Sequence, residues 1–142
     1  MKHPQIFFNH TAELINSLPD KKDQLELLLD IGKELPSMPN IQKTSQNQIQ
    51  GCATIAYLAV EISNDGYVRI SGDSESLFGK SYLAIIISAF NNSSVNFILE
   101  EGDRLVTDFL KQSGLTAGLL PSRINSFGMI FKHLKQKIAE KS

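Results

Sequence analysis

Ile6, Phe7, Leu14, Ile15 and Leu18, with His10 among them, recur at the spacing that gathers side chains on one stripe of a helix, and Pro19 closes the segment. Asp20 is placed to cap a second helix whose apolar face is Leu25, Leu28 and Leu29, with Gly32 and Pro36 as stop signals. From Pro36 to Gln50 the chain turns polar, with two prolines and four glutamines, and reads as a long loop. Long ordered loops in small domains are natural places for a site.

The period then changes. Thr54, Ala56, Leu58, Val60 and Ile62 alternate on one face with Ile55 and Tyr57 on the other, which predicts a strand. Asn64-Asp65-Gly66 is a turn signal and Tyr67 to Ser71 returns as a second strand, so residues 53–71 read as an antiparallel hairpin. Ser74 is placed to cap a helix that is apolar almost all round through Leu83, Ala84, Ile85, Ile86 and Ile87, hence central to the core. Asn91 to Ser94 breaks it. A further helical stretch covers Asp103 to Gln112 and ends at Gly114; Pro121-Ser122 opens a last helix with Ile124, Phe127, Phe131, Leu134 and Ile138 on one face. Periodicity alone reaches a mixture of helices with a small sheet, built around that hairpin.

Length and charge narrow what such a chain does. At 142 residues it fits one domain, with enough buried surface for a single core. With 20% charged residues and a net charge of −1, it lacks the basic excess that binding to a phosphate backbone requires, so nucleic acid is not an expected partner. The longest apolar run, Tyr82 to Phe90, is far short of the roughly 20 residues that cross a bilayer, and the N-terminus has no signal-peptide core, so no membrane and a cytoplasmic location are expected.

Most candidate chemistry is dismissed on spacing. Gly72 to Ser81, GDSESLFGKS, suggests a phosphate loop, but the Walker spacing needs its first glycine where Ser74 stands, and Asp73 and Glu75 repel phosphate. An acidic first helical turn explains the segment better. His3, His10 and His133 form no i,i+4 pair and lie far in sequence from the cysteine, so no metal is expected. The carboxylates are scattered, without support for paired acid-base work. That leaves Cys52, the single cysteine, directly after Gly51 and just before the strand. It cannot form an internal disulfide, a cysteine-rich zinc site or a cluster by itself. A lone cysteine is more often a small buried core residue than a reactive one. Its setting changes the balance: a glycine that lets the backbone turn, a polar loop before it, and an apolar strand after it suit a thiol that is sheltered and then presented.

The segments LLLDIGKELPSMP, NQIQGCATIAYL, GDSESLFGKSYLAIII and SGLTAGLLPSRINSF, followed by the closing helix, occur in the order and spacing of the SufE/CsdE sulfur-acceptor proteins, which the chain resembles over nearly its whole length. The most specific parts are Gly32-Lys33 with Leu35-Pro36, the Gly51-Cys52 pair, and Ser122-Arg123-x-Asn125. The resemblance implies a single α+β domain over residues 1–142, a small antiparallel sheet with helices packed around it, similar to the scaffold proteins of cluster assembly. It also implies that Cys52 accepts a persulfide sulfur from a pyridoxal-phosphate cysteine desulfurase, stimulates that enzyme, and passes the sulfur to an iron-sulfur scaffold complex. No cofactor of its own is implied, and the activity is that of a carrier and activator, not of a stand-alone enzyme. Gly51, Arg123 and Asn125 would support the cysteine loop; Asp73 and Glu75 would face the desulfurase, although a solvated first turn also accounts for them. The usual GCQSQVW reads GCATIAY here, an acidic residue and alanine after the serine read Glu75 and Ser76, and SRxNG reads SRINS. These departures leave the sulfur-carrying atom intact. A second reading is a regulatory module that activates a desulfurase without carrying sulfur; Cys52→Ser separates the two. A cluster scaffold is disfavoured, because one thiolate supplies too few ligands.

Overall fold

A computed structural model describes residues 3–51, 54–115 and 124–141, with backbone alone for 124–126. In chain order its elements are α1 (Pro4–Asn16), α2 (Lys21–Lys33), a 3-10 turn (Asn40–Gln42), β1 (Ala56–Ile62), β2 (Val68–Ser74), α3 (Leu77–Phe90), α4 (Val95–Gln112) and α5 (Ile124–Lys141). The architecture is α+β, as expected: helices on a two-stranded antiparallel sheet.

The hairpin forms where alternation and turn chemistry place it. Ala56, Leu58 and Val60 are buried on one face of β1, and Ala56 pairs with Ser74 while Ile62 pairs with Val68. The turn is closed by the Ser63 amide donating to Tyr67 (2.9 Å) and the Gly66 amide donating to Ser63 (2.9 Å). Two boundaries differ from expectation. Thr54 is exposed and outside the strand, and β2 runs three residues beyond Ser71, so Ser74 belongs to the sheet. The α3 cap is Ser76, whose hydroxyl accepts from the Gly79 amide at 3.2 Å.

The expectation that α3 is the central element holds. Tyr82, Leu83, Ile85, Ile86 and Phe90 are almost wholly inaccessible, and α3 packs against α1, α2, α5 and β2. Phe8 of α1 lies 5.5 Å from Phe90 and 5.0 Å from Phe109 of α4, while Phe131 of α5 lies 5.3 Å from Phe90, so one aromatic cluster joins four helices. Such ring pairs add about 0.5–1.5 kcal/mol each beyond area burial. On α5 the predicted stripe of Phe127, Phe131, Leu134 and Ile138 is buried, with Ile130 beside it.

Gly32 does not stop α2; it lies inside the helix, one residue before the end. A Cβ there would sit 2.8 Å from Ser81 Oγ and 2.9 Å from the Ser81 backbone nitrogen. The glycine is therefore the point where α2 and α3 touch backbone to backbone. The Ser81 hydroxyl crosses the same contact to the Leu28 carbonyl at 2.5 Å. Glycine at this position lets the helices approach; it does not end one.

Candidate functional site

The polar stretch before Cys52 is tied down along its length. Asn40–Gln42 forms a 3-10 turn, and the Ser71 hydroxyl of β2 hydrogen-bonds Gln42 Oε1 at 2.8 Å. The Asn47 side-chain amide donates to the Gln42 carbonyl at 2.8 Å. Asn47 to Ile49 then lie antiparallel along the edge of β1 that β2 leaves free: the Leu58 amide donates to the Asn47 carbonyl and the Ile49 amide to the Ala56 carbonyl, both at 2.8 Å, around a Gln48–Tyr57 bridge. Residues 50–55 are thus a connection with a hydrogen-bonded base, and Cys52 falls within it by chain position.

Cys52 itself lies outside the described residues, as does Arg123. Asn125 is in the first turn of α5, and its side chain is likewise outside what is described. The flanks of the cysteine are visible. Gly51 and Thr54 are exposed, Ile55 is 41% exposed, and the Ile55 carbonyl accepts from the Glu75 amide at 3.0 Å. Gly51 has a left-handed φ of 87°, and the methyl of Met129 on α5 fills the place where a side chain would start. Position 51 accordingly favours glycine twice, through its backbone angle and through the wall beside it.

Asp73 and Glu75, two positions apart in sequence, differ in structure. Asp73 is an anchor: Oδ2 pairs with Lys43 Nζ at 2.9 Å, Oδ1 accepts the Ser74 amide at 2.8 Å, and Lys80 lies 3.9 Å away. Partial burial pushes its pKa up, but the Lys43 hydrogen bond, the Ser74 amide and the charges of Lys43 and Lys80 outweigh this and hold it below the ordinary carboxylate value of 3.8. Glu75 is exposed and makes no carboxylate ion pair among the described residues. Lys43 was missed in the sequence because its partner lies thirty positions away in a different element; nothing local marks it. Asp73 and Lys43 also line a cleft of about 570 Å³ together with Gly32, Lys33, Leu35 and Pro36, so two motif segments far apart in the chain meet at one place.

The Asp73 anchor makes a prediction. Asp73→Asn keeps an acceptor for the Ser74 amide but removes the charge, so at neutral pH it should cost about 1 kcal/mol, the scale of a partly exposed pair. The folded-state pKa is depressed, so this contribution is complete above 3.8 and disappears as pH falls through the lower folded value. Urea unfolding of both proteins should converge in acid, and amide exchange at Ile49 should quicken in the variant at neutral pH.

Each histidine has a structural place. His3 caps α1, its Nδ1 accepting from the Gln5 amide at 3.1 Å, and His10 is exposed. His133 is 7% exposed on the side of α5 facing β1, and its Nε2 has no hydrogen-bond partner among the described residues. Burial, then the neighbouring Lys137, lower its pKa below 6.5; the Leu58 carbonyl and Glu140 oppose the shift without reversing it. Below 6.5 the unfolded chain takes up a proton that the folded one resists, so the fold is fully supported above that value and weakens as pH falls toward the folded pKa. The urea midpoint should drop between about pH 7.5 and about pH 5.5. His133→Gln, which keeps a donor for Leu58 without titrating, should flatten that slope; an unchanged slope would contradict the assignment. Among the described residues no group of histidine, cysteine and carboxylate side chains is arranged to hold a metal, and no helix is long and apolar enough to cross a membrane.

A family model described as "SufE: Fe-S metabolism associated domain" matches residues 9–138. An uncharacterized SufE-like protein of Synechocystis sp. is 36% identical over 118 residues, covering 83% of this chain and 71% of the relative. An uncharacterized SufE-like protein of Rhizobium meliloti is 26% identical over 123 residues, covering 84% and 86% respectively. The solution structure of a hypothetical protein from Thermus thermophilus has a TM-score of 0.69 at 17% identity, over 99% of this chain and 97% of that one, a likeness of fold.

Proposed function

Because this chain belongs to the SufE family of Fe-S metabolism associated domains, we propose that it is a sulfur acceptor that takes persulfide sulfur from a cysteine desulfurase onto Cys52, stimulates that enzyme, and delivers the sulfur to an iron-sulfur scaffold. The observation that carries the reading is the loop: residues 50–55 have a base pinned to packed structure at Ile49–Ala56 and Ile55–Glu75, yet the described residues on either side of the cysteine are exposed. A group held that way can be offered to a partner without unfolding the domain.

The chemistry requires only a thiolate. A free thiol has a pKa near about 8.5, so a small fraction is ionised at neutral pH until a partner's positive field increases it. The Cys52 thiolate attacks the outer sulfur of the donor persulfide; the donor's S–S bond breaks, its cysteine leaves as a thiolate, and Cys52 carries the persulfide. No net oxidation or reduction occurs. A second thiol within reach would resolve the product into a disulfide and release the sulfur, and the chain has only one cysteine.

Exposed Glu75, tied through its own amide to Ile55, and exposed Leu77 at the start of α3 would meet the desulfurase. Asp73 acts indirectly by holding the preceding segment through Lys43. Arg123 and Asn125, close in sequence to Met129, whose methyl touches the Gly51 position, would support the loop as the resemblance implies. Cytoplasm, where a single thiol stays reduced, is the compartment we assign. The test is incubation with a pyridoxal-phosphate cysteine desulfurase and cysteine, followed by intact mass under non-reducing conditions. The chain should gain one sulfur, mapped to Cys52; no gain with any desulfurase of the same source would overturn the reading.

A further inference from the structure

We propose that the cleft between α2 and the start of α3 binds a small carboxylic acid with an apolar body, a ligand separate from any sulfur carried on Cys52. The cavity measures about 570 Å³, within the range of small-molecule pockets. Leu29, Leu35, Pro36, Met38 and Leu77 give it apolar walls. Met38 is buried, whereas Leu77 is 66% exposed and leaves apolar surface uncovered. The same cavity is lined by Lys33, Lys43 and Lys80, with Asp73 as its one carboxylate. Asp73 is already engaged through both oxygens, one with Lys43 at 2.9 Å and the other with the Ser74 amide at 2.8 Å. Lys80 comes no nearer to it than 3.9 Å, and Lys33 stands 3.6 Å from Asp30, an exposed residue outside the lining. Both ion pairs are too long to be hydrogen bonds. Even with Asp30 counted, two carboxylates stand against three lysines.

The start of α3 adds to this imbalance. Its positive end opens at Leu77, its first turn has no acidic residue, and Lys80 stands within that turn, where a cation is unfavourable for the helix dipole. An anion in the cleft supplies the acceptor that Lys33 and Lys80 lack, and an apolar body attached to it covers the leucine and proline walls. An inorganic anion would leave those walls wet, and a neutral apolar molecule would leave the ammonium groups without a partner. The volume matches a small molecule and not a length of partner chain.

Hexanoate is the probe. Titrated into the isotope-labelled full chain at neutral pH, it should move the amide resonances of Gly32, Met38, Leu77 and Lys80 saturably, with a Kd on the order of 1 mM. Hexanol lacks the charge, hexylamine reverses it and acetate lacks the body, so each should bind at least about tenfold more weakly. Lys80→Gln should weaken hexanoate about threefold to tenfold, and Lys80→Arg should return it to within about twofold of the parent. Lys111→Gln, on α4 and outside the lining, should change nothing. Lys80 is partly exposed, so its variants should keep the fold, which circular dichroism checks. The proposal is overturned by the absence of a saturable shift up to about 20 mM, by hexanol or hexylamine binding as well as hexanoate, or by an unaltered affinity in Lys80→Gln. A dipeptide of one acidic residue and leucine that moves the same amides at least about tenfold more tightly than hexanoate would also overturn it, reassigning the cleft to a partner's chain. No readout uses a desulfurase or the thiol, so this site and the carrier reading stand or fall separately.

Discussion

Cys52→Ser should abolish sulfur uptake entirely while leaving the fold unchanged. Serine is close in size, but its hydroxyl stays protonated at any pH the protein survives and cannot attack a persulfide, so the loss is of kind and not of degree. Intact mass after incubation with desulfurase and cysteine should show no added sulfur on the variant. Sulfide release by the desulfurase, measured in a parallel reaction with a dithiol reductant to reduce the persulfides, should fall to the level of the enzyme alone. That second measurement separates the carrier from a module that activates by binding: a pure activator with serine at position 52 would stimulate as well as the parent. Retained stimulation would move the function to the regulatory reading. Retained binding without stimulation is the expected pattern, since the surface around Ile55, Glu75 and Leu77 is untouched.

Gly32→Ala carries the largest expected effect on stability. In an open helix the change would help by about 1 kcal/mol. Here the new methyl would stand 2.9 Å from the backbone nitrogen of Ser81 and 3.2 Å from the Leu77 carbonyl oxygen, atoms that move only if α2 and α3 separate. Overpacking of this kind costs about 1–3 kcal/mol, and contact with backbone puts the cost at the higher end, so a net loss of about 2 kcal/mol is expected. Urea unfolding measures it. Ser81→Ala in the same chain should recover only part of the loss, because the hydroxyl is one neighbour and the backbone remains. Gly32→Leu should leave little soluble protein. A stabilised Gly32→Ala variant would mean that the helix–helix contact is looser than described. The consequence reaches the site as well, because Gly32 shares the cleft with Lys43 and Asp73, the pair that straps the segment leading to Cys52.

Local signals in the chain suffice where one element is enough to state them. The hairpin needed only alternation and a turn triplet, and the buried character of α3 needed only its composition. The stripe on α5 required nothing beyond 3.6 residues per turn. The same signals mislead where a residue type has two uses. Gly32 looked like a helix terminator because glycine often is one, and nothing in sequence tells a stop from a close crossing. Ser74 looked like a cap because serine often is one, but two residues later another serine, Ser76, made the helical bond while Ser74 stayed paired with Ala56. The stretch from Pro36 to Gln50 reads only as a long polar loop, because its partners, Ser71, Asp73 and β1, all lie later in the chain.

The sequence by itself determined a mixture of helices with a small hairpin, the family through its spaced motifs, and a single cysteine, since these depend on residue identity and on periods along a single segment. Only the tertiary structure decided that Asp73 is an anchor while Glu75 stays free of any carboxylate ion pair among the described residues, that the preceding segment is a third edge on the sheet, and that Met129 lies against the glycine beside the cysteine. Those outcomes arise from contacts between positions far apart in the chain, or between a loop and a helix that comes last in sequence order. Side-chain pairing across such distances is set by how α5 and β2 pack around β1, and no local propensity encodes it.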